Sequence, residues 1–373
     1  MDKRTSAAYD RHASSWIAAR GPDALTTRRL ARFVGQLRKG APVADLGSGP
    51  GWYAHRLRQA GHAGLALDLS HEMLAETGRK FPGVPCVRAD LAALPFARFS
   101  LGGAWAINCL SHLPVAELPI ALAHLHHALE IDAPLECTFA DLEALDATAA
   151  ELRRGTGQRR FPDDSFGKRL FTAASEEQLH CLLDGAGFDE IQIERPGRRR
   201  FWLWVRARRA YTLPDYTRPG LRILFCGLNP SLAAADTGIP FVGASNRFWP
   251  AALRAGLVER TRDPWDALRL GVGFTDLVKR ATRSASTVQR QEYASGLARL
   301  ERGIRSARPN ATCFVGLDGW RRAVDPKAFP GWIEGGFAGR PAYLMPSTSG
   351  RNAHVDLAGL ARHLGRAARE PTG

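Results

Sequence analysis

One neutral amide, Asn229, stands where a buried strand is predicted to end. The apolar run 223–226 is long enough for a strand, and the letters GLNPS that follow contain the glycine and proline of a tight turn. A loop then carries an aromatic residue, Phe241, towards a helix predicted to begin within 246–249. Because ligands usually bind at the carboxyl ends of strands in open α/β sheets, Asn229 is a candidate site residue. The alternative is an ordinary strand–turn–helix crossover in which Asn229 is a turn residue.

Acidic residues end three predicted strands in the first half of the chain. The letters VADLGSGPG give a strand, a turn and a helix from about Trp52, and the turn glycines let the backbone approach a ligand closely. The letters LDLSHEML supply a second strand-end acid, placed to bond ribose hydroxyls, and Met73, placed to pack on a flat ring. A domain that binds a nicotinamide dinucleotide is the alternative, because such folds use similar turns. The acids and glycines concerned are Asp45, Asp68, Asp90, Gly47, Gly49 and Gly51.

The composition is that of a globular protein with about two domains. The 373 residues are 45% apolar and 24% charged, and no run approaches the roughly 18–20 apolar residues that a membrane span needs. The polar start of the chain predicts no signal peptide. The six cysteines include no CxxC pair, which favours free thiols in a reducing cytoplasm and predicts no metal site. We expect the helical residues His124, His126 and His127 to face solvent.

Positive charge is concentrated in the second half of the chain. Residues 1–194 hold 21 Lys and Arg against 24 Asp and Glu, whereas residues 217–373 hold 23 against 12. A basic surface is what phosphate backbones attract, so this distribution favours a nucleic-acid partner for the second half. Genome composition can explain the preference for arginine over lysine, but it does not explain the uneven distribution.

Four motifs in the second half occur in the order GLNPS, PFVGASNRFW, GVGFTDLVKRAT and MPSTSGRNAH. Together they resemble the mismatch-specific uracil/thymine DNA glycosylase family of the uracil-DNA glycosylase superfamily. The resemblance implies that Asn229 holds the water that attacks the sugar, that Phe241 stacks on a flipped base and that Arg351 fills the gap left in the helix and bonds the widowed guanine. Phe241 as a core residue and Arg351 as a phosphate contact are the alternatives. The resemblance further implies a base pocket formed with Gly227, Leu228, Asn246, Asp276 and Thr282. It also implies a loop that contacts the DNA backbone, with Ser347, Ser349 and Gly350.

Two residues depart from that family's pattern and bear on the choice of base. Ser231 stands where the family usually has glycine, so the space beside the water differs. Asp276 stands where the thymine-processing branch has asparagine. An anionic acceptor there either favours a base with a free N–H or repels an acidic base. With this departure from the thymine-processing pattern, uracil is a better expectation than thymine or oxidised cytosine.

The first half resembles the class I S-adenosylmethionine-dependent methyltransferases, through VADLGSGPG, LDLSHEML and the strand ending in VRAD. That resemblance implies that Asp45 and the turn glycines line the methionine end of S-adenosylmethionine, that Asp68 holds its ribose and that Asp90 holds the adenine amine. Met73 would pack on the adenine. The sequence leaves the methyl acceptor open, and a packed His112 is favoured over a catalytic base.

We therefore expect an α/β fold with two domains. Residues 1–210 would form a Rossmann-like methyltransferase sheet, and residues 211–373 an αβα sandwich around a central parallel sheet, with a loop at 271–278. The expected activities are excision of uracil mispaired with guanine, with thymine, ethenocytosine and hypoxanthine as further candidates, and methyl transfer from S-adenosylmethionine. The partner would be mismatched double-stranded DNA, and the protein a cytoplasmic monomer with no membrane attachment. There are two alternatives. In one, the methyltransferase is the only enzyme and the C-terminal half only binds nucleic acid. In the other, the N-terminal half is a degenerate module that only stabilises the fusion protein.

Overall fold

The computed structural model describes residues 2–143, 158–160, 169–196 and 201–369. The chain divides into two compact units, one of Met1–Asp184 with Phe188–Ala210, the other of Gly185–Gly187 with Tyr211–Gly373. Each unit has its own sheet. No helix within the described ranges combines the length and hydrophobicity that crossing a bilayer requires.

The first unit is a Rossmann-like domain built on a nine-stranded sheet. In the strand order β3-β2-β1-β4-β5, the chain adds strands outward on one side of β1 and then continues on the other side from β4. This switch creates a crevice at the carboxyl ends of β1 and β4. These strands are parallel, whereas β9 runs antiparallel to both β5 and β8. Its strands are β1 (Pro42–Leu46), β2 (Ala63–Asp68), β3 (Cys86–Arg88), β4 (Gly103–Ala106), β5 (Pro134–Asp141), β6 (Gln158–Arg160), β7 (Leu170–Ala174), β8 (Phe188–Glu194) and β9 (Trp202–Arg209). Its helices are α1 (Lys3–Ala19), α2 (Ala24–Val34), α3 (Trp52–Gln59), α4 (His71–Lys80), α5 (Leu118–Ala128) and α6 (Glu176–Gly185).

The second unit has a five-stranded sheet in the order β11-β10-β12-β14-β13, parallel except for β13. Its strands are β10 (Ile223–Gly227), β11 (Val272–Asp276), β12 (Thr312–Val315), β13 (Gly331–Trp332) and β14 (Ala342–Met345). Its helices are α7 (Leu232–Thr237), α8 (Phe248–Arg254), α9 (Pro264–Arg269), α10 (Arg290–Ala307), α11 (Leu317–Ala323) and α12 (Leu357–Ala367). Every residue of β10 and β11 is buried, as expected of parallel strands covered on both faces.

Two expectations from the sequence are wrong. Residues 272–276 form strand β11 rather than a loop, because Val272 and Phe274 pack into the core and the strand pairs in register with β10. The predicted solvent-facing histidines include His126, which is fully buried with its Nε2 atom 3.2 Å from the carbonyl of Ala210. Burial also lowers the pKa of His124 to about 4.

Side-chain caps begin several of these helices where the sequence has Asp or Ser. Asp23 accepts a hydrogen bond from the backbone N–H of Thr26 at the start of α2, and Ser70 accepts one from Met73 at the start of α4. Ser231 does the same for Ala234 at the start of α7. The serine that departs from the glycosylase pattern therefore caps the short helix after β10.

Candidate active sites

The carboxyl ends of β10 and β11 bring three predicted pocket residues of the second unit together. Gly227 and Asp276 are paired in register at the ends of the two strands. A Cβ atom on Gly227 would lie 2.3 Å from Oδ1 of Asp276 and 3.6 Å from Cε1 of Phe241. Position 227 therefore requires glycine because of close approach, and the same closeness places a carboxyl group and an aromatic ring at one point of the sheet edge.

Asn229 is held by its amide nitrogen. Nδ2 donates to the carbonyl of Pro230 at 3.1 Å, to the carbonyl of Arg280 at 3.0 Å and to Oγ1 of Thr282 at 2.8 Å. Three acceptors around one atom fix which end of the amide is the nitrogen. The described residues donate no hydrogen bond to Oδ1, so the carbonyl end of this half-buried side chain can accept one from a water molecule.

Backbone hydrogen bonds join the Asn229 turn to the segment after β11. The N–H groups of Leu277 and Val278 each donate at 2.9 Å, to the carbonyls of Gly227 and Leu228. Further along, the N–H of Thr282 donates to the carbonyl of Pro230 at 3.0 Å. Leu228 thus takes part through its backbone, and the two loops form one rigid support for the amide.

Asp276 is a carboxyl group with only 7% of the residue exposed. Burial raises the pKa of Asp276 to about 7, against the opposing effect of Lys279 and Arg299. The described residues donate no hydrogen bond to its carboxyl oxygens. Lys279 and Arg299 instead form ion pairs with Asp215, at 3.0 and 3.1 Å. A buried carboxyl group without a hydrogen-bond donor is costly to keep, so it is a candidate for contacting a ligand.

Phe241 packs against the core and keeps part of its ring exposed beside Gly227. Its ring stacks on Phe248, with centroids 4.3 Å apart and an interplanar angle of 18°, and packs against the core. The ring remains half-buried at the pocket, near Gly227. Its φ of 54° lies in the left-handed region, which is unfavourable for a bulky residue and indicates that the surroundings impose this position.

Asn246 stands just before α8, and the loop with Arg351 follows β14. Oδ1 of Asn246 accepts from the N–H of Phe248 at 2.9 Å, which orients the start of α8. Arg247 donates to the carbonyls of Val355 and Asn352, and its N–H bonds the carbonyl of Thr348 at 2.9 Å. Arg247, which the sequence analysis did not single out, therefore anchors the loop.

The tip of that loop is shaped by serines and a glycine. The N–H of Ser349 donates to Oγ of Ser347 at 3.2 Å, and the N–H of Arg351 donates to Oγ of Ser349 at 3.3 Å. Gly350 has no room for a side chain, because a Cβ there would lie 2.5 Å from Cβ of Ser245. Arg351 itself is exposed. The geometry presents one arginine on a firmly held loop.

A cavity of about 620 Å³ occupies the crevice of the first unit. This volume is in the range of small-molecule and cofactor sites, roughly 300–1,000 Å³. Its lining includes most of the predicted cofactor residues, together with a set of aromatic residues that the sequence analysis missed. The predicted residues in the lining are Asp45, Gly47, Gly49, Asp68 and Met73. The aromatic ones are Tyr9, Trp16, Trp52, Tyr53, Phe171, Phe201 and Trp202.

Asp68 is positioned by the glycine-rich turn. Its Oδ2 accepts from the N–H of Gly49 at 2.9 Å, and its Oδ1 accepts from the N–H of Ser70 at 2.9 Å. Burial raises the pKa of Asp68. Gly49 has a φ of +52°, and a Cβ atom there would meet nothing closer than the Trp16 ring at 3.9 Å. The turn therefore leaves its backbone open to a ligand while holding the carboxylate beside it.

The remaining predicted cofactor residues differ in what they contact. A Cβ on Gly47 would lie 2.2 Å from that of Cys109, and one on Gly51 would lie 2.3 Å from Cγ2 of Thr77. Gly51 thus packs against α4, and it does not line the cavity that the described residues form. Asp90 lies two residues beyond β3, its Oδ1 accepting from the N–H of Ala92, and its neighbours Ala89 and Leu91 line the cavity.

Asp45 is the penultimate residue of β1 and lines the cavity. Its Oδ2 accepts from the N–H of Ala54 at 2.9 Å. Burial raises the pKa of Asp45 to about 8, and the nearby Asp68 adds to this. A cationic ligand in the cavity would favour the ionised form. The residues present, two carboxyl groups and an open glycine turn beside an apolar wall, fit S-adenosylmethionine, which carries a cationic sulfonium, a ribose and an adenine.

Comparison with known families gives a match for each unit. Residues 214–363 match the model of the uracil DNA glycosylase superfamily, and residues 43–132 match a methyltransferase domain model. The matches support a fusion of a uracil DNA glycosylase superfamily domain with a methyltransferase domain.

Among solved structures, the chain is similar to an S-adenosylmethionine-dependent methyltransferase from Mesorhizobium loti. The identity is 19%, over 49% of this chain and 96% of that chain, with a TM-score of 0.40. It is also similar to 1,6-didemethyltoxoflavin-N1-methyltransferase from Burkholderia thailandensis, with 21% identity over 55% of this chain and 87% of that chain and a TM-score of 0.43.

Proposed function

We propose that residues 211–373 are a DNA glycosylase that hydrolyses the N-glycosidic bond of uracil mispaired with guanine. Thymine, ethenocytosine and hypoxanthine are further candidate bases. The products are the free base and an abasic site. The match to the uracil DNA glycosylase superfamily and the grouping of Asn229, Asp276 and Phe241 at one sheet edge support this proposal.

The fixed amide of Asn229 is the observation that carries the proposal. With Nδ2 occupied by three acceptors, Oδ1 accepts a hydrogen bond from water and directs the water's lone pair at the sugar C1′. The bond from C1′ to the base nitrogen breaks as the water oxygen attacks, the base leaves with the bonding electrons, and the proton that the water loses passes through solvent to the departing base. Because an amide positions water without removing its proton, turnover is expected to be slow compared with an enzyme that uses a carboxylate.

The base pocket uses Phe241 and Asp276. A base inside a duplex is unreachable, so it must be flipped out and stacked on an aromatic ring, which Phe241 supplies. The carboxyl of Asp276 has no donor from the described residues, and in its ionised form it accepts an N–H from the edge of the base. Gly227 leaves room for both groups, and the backbone of Leu228 bonds the segment after β11. Asn246 orients the start of α8, and Thr282 fixes the Asn229 amide.

The loop with Arg351 is proposed to contact the DNA that the flipped base has left. A guanidinium presents paired donors that suit the acceptors of guanine, and the serines and Gly350 hold the loop beside the helix backbone. The basic excess of residues 217–373, 23 Lys and Arg against 12 Asp and Glu, favours a phosphate-bearing partner.

Excision assays test this proposal. Labelled oligonucleotides with U·G, T·G, U·A and single-stranded U are incubated under single-turnover conditions with wild type, Asn229→Ala and, as a control, Asn310→Ala, which changes an exposed asparagine of the same unit. We expect U·G to be cut fastest, Asn229→Ala to slow it about 100-fold or more and Asn310→Ala to match wild type.

The same assay separates the competing interpretation. If duplex DNA binds but none of the four substrates is cut, the second unit is a nucleic-acid-binding module and the methyltransferase is the only enzyme. If Asn229→Ala cuts U·G as fast as wild type, the role given to that amide is wrong. Loss of U·G preference over U·A in Arg351→Ala would support the contact with the widowed guanine.

We also propose that residues 1–210 bind S-adenosylmethionine and transfer its methyl group. The bound cofactor would supply an electrophilic methyl carbon on its sulfonium. Asp68 would hold the ribose, Asp45 would face the positive charge, and the open backbone at Gly49 would admit the methionine end. Gly47 and Gly51 would act through the tight turn, and Met73 and Asp90 would lie at the adenine end.

Calorimetry with S-adenosylhomocysteine tests the cofactor site. We expect Asp68→Asn to weaken binding about tenfold or more, since a carboxylate bonded to hydroxyls is replaced by a weaker acceptor. Asp132→Asn, at an exposed position, serves as the matched control. Absence of binding to wild type would favour the interpretation in which the N-terminal half only steadies the fusion.

A further inference from the structure

The cavity of the first unit is lined by aromatic and polar residues in addition to the predicted cofactor residues. A chain of aromatic contacts runs along its wall, from Trp52 stacked on Trp16 at 5.9 Å to Tyr9 at 6.2 Å from Trp16. It continues through His112, 5.4 Å from Tyr9 and 4.6 Å from Phe171. All of these residues line the cavity.

Two further rings extend this wall. Phe201 lies 5.8 Å from Phe171 in an edge-to-face contact, and Trp202 lies 6.3 Å from it. Phe171 comes from β7 and Trp202 from β9, whereas Tyr9 and Trp16 come from α1 and Trp52 begins α3. Flat apolar walls of this kind favour a flat aromatic ligand, because ring stacking and edge contacts add to burial.

His112 and Tyr9 form a directed polar pair within this wall. Nδ1 of His112, which is 3% exposed, lies 2.7 Å from the carbonyl of Leu170, and Nε2 lies 2.8 Å from the hydroxyl of Tyr9. A carbonyl only accepts, so Nδ1 carries the proton. Burial lowers the pKa of His112 to about 4, so the ring is neutral at pH 7 and its Nε2 accepts from Tyr9.

Arg169 completes the polar group. It is 6% exposed, lines the cavity, and its Nη1 donates to the Tyr9 oxygen at 3.2 Å. The Tyr9 oxygen therefore donates to a neutral imidazole and accepts from a guanidinium. It retains an acceptor position for a further donor, which a ligand O–H or N–H in the cavity can supply.

We propose that this wall is the methyl-acceptor site, and that it takes a small aromatic molecule whose ring carries an O–H or N–H group bonded to the Tyr9 oxygen. The proposal rests on the proposed methyltransferase function of the same cavity. In the reaction, a lone pair of the acceptor heteroatom forms the bond to the methyl carbon, and the carbon–sulfur bond breaks with its electron pair remaining on sulfur. The heteroatom's proton moves to the Tyr9 oxygen while the Tyr9 proton moves to Nε2 of His112.

Binding of three probes to the full-length protein tests the site. S-adenosylhomocysteine is bound first, and the loaded protein is then titrated by calorimetry with 4-nitrophenol, with nitrobenzene, which lacks the hydroxyl, and with cyclohexanol, which lacks the aromatic ring. We expect 4-nitrophenol to bind at one site, and nitrobenzene and cyclohexanol to bind at least about tenfold more weakly, since each loses either a hydrogen bond or the ring contacts.

The variant Tyr9→Phe tests whether the Tyr9 oxygen accepts the hydrogen bond from the hydroxyl of 4-nitrophenol. This variant keeps the ring, and we expect the difference between 4-nitrophenol and nitrobenzene to shrink to about twofold or less. Tyr293→Phe, which removes a buried hydroxyl without a hydrogen-bond partner among the described residues of the other unit, should retain the tenfold difference.

Three results would overturn the proposal. They are cyclohexanol binding as tightly as 4-nitrophenol, no binding of either aromatic probe to loaded protein, and an undiminished difference in Tyr9→Phe. Each of these leaves the cofactor site standing, because S-adenosylhomocysteine has already been seen to bind. Failure of S-adenosylhomocysteine itself to bind refutes the methyltransferase function and this proposal with it.

Discussion

Replacing Asp276 by asparagine should make the second unit less sensitive to pH. The wild-type carboxyl is buried at the end of β11, where burial raises its pKa to about 7. In the unfolded chain an aspartate titrates at about 3.9. Between these values the folded state holds one proton more than the unfolded state, so the free energy of unfolding decreases as pH rises from about 4 to about 7 and is then constant. Asparagine has nearly the same shape and does not titrate.

The size of the effect follows from the two pKa values. A difference of about 3 units corresponds to about 4 kcal/mol at high pH, of which about 2.5 kcal/mol falls between pH 5 and pH 8. For a unit of this size, 1 kcal/mol shifts the melting temperature by about 2–4 °C. Between pH 5 and pH 8 the wild-type transition should therefore fall about 5–10 °C further than the transition of Asp276→Asn.

Differential scanning calorimetry of the full chain at pH 5 and pH 8 measures this difference. Asp318→Asn, an exposed aspartate in the same unit, is the matched control and should follow wild type. The reasoning is refuted if Asp276→Asn loses as much stability as wild type over this range, because the carboxyl would then not be the buried titrating group.

Three further substitutions test the two sites. Thr282→Val removes the 2.8 Å acceptor of the Asn229 amide; losing one hydrogen bond worth about 1 kcal/mol should slow single-turnover U·G excision about fivefold, and a change in DNA affinity alone would contradict this. Gly227→Ala puts a Cβ 2.3 Å from Oδ1 of Asp276; we expect about 1–3 kcal/mol of destabilisation by calorimetry, and an unchanged melting temperature would count against the packing. The pKa of Asp45 is about 8, so wild-type affinity for S-adenosylmethionine should rise about tenfold per pH unit up to that value and that of Asp45→Asn should stay flat, whereas parallel titrations of the two would exclude Asp45 as the group facing the cation.

Strand ends were the part of both sites that the sequence predicted best. The runs before Asp45, Asp68 and Asn229 are short, apolar and followed by turn residues, so continuous apolar runs and the positions of glycine and proline are sufficient to predict them. The sequence predicts a loop at 271–278, because the glycines at 271 and 273 are typical of loops. In the folded unit Gly273 is instead required by close packing, since a Cβ there would lie 2.4 Å from Leu221.

The sequence by itself determined which residue types stand at the ends of the strands, because local patterns of apolar, glycine and acidic residues are set within a few positions. Only the tertiary structure decided what those residues contact. Thr282 lies 53 positions from the amide it fixes, and Tyr9 lies 103 positions from the histidine it bonds. The raised pKa of Asp276 likewise depends on the burial that the assembled sheet and its helices impose. Packing between distant segments creates these contacts, and no local pattern encodes them.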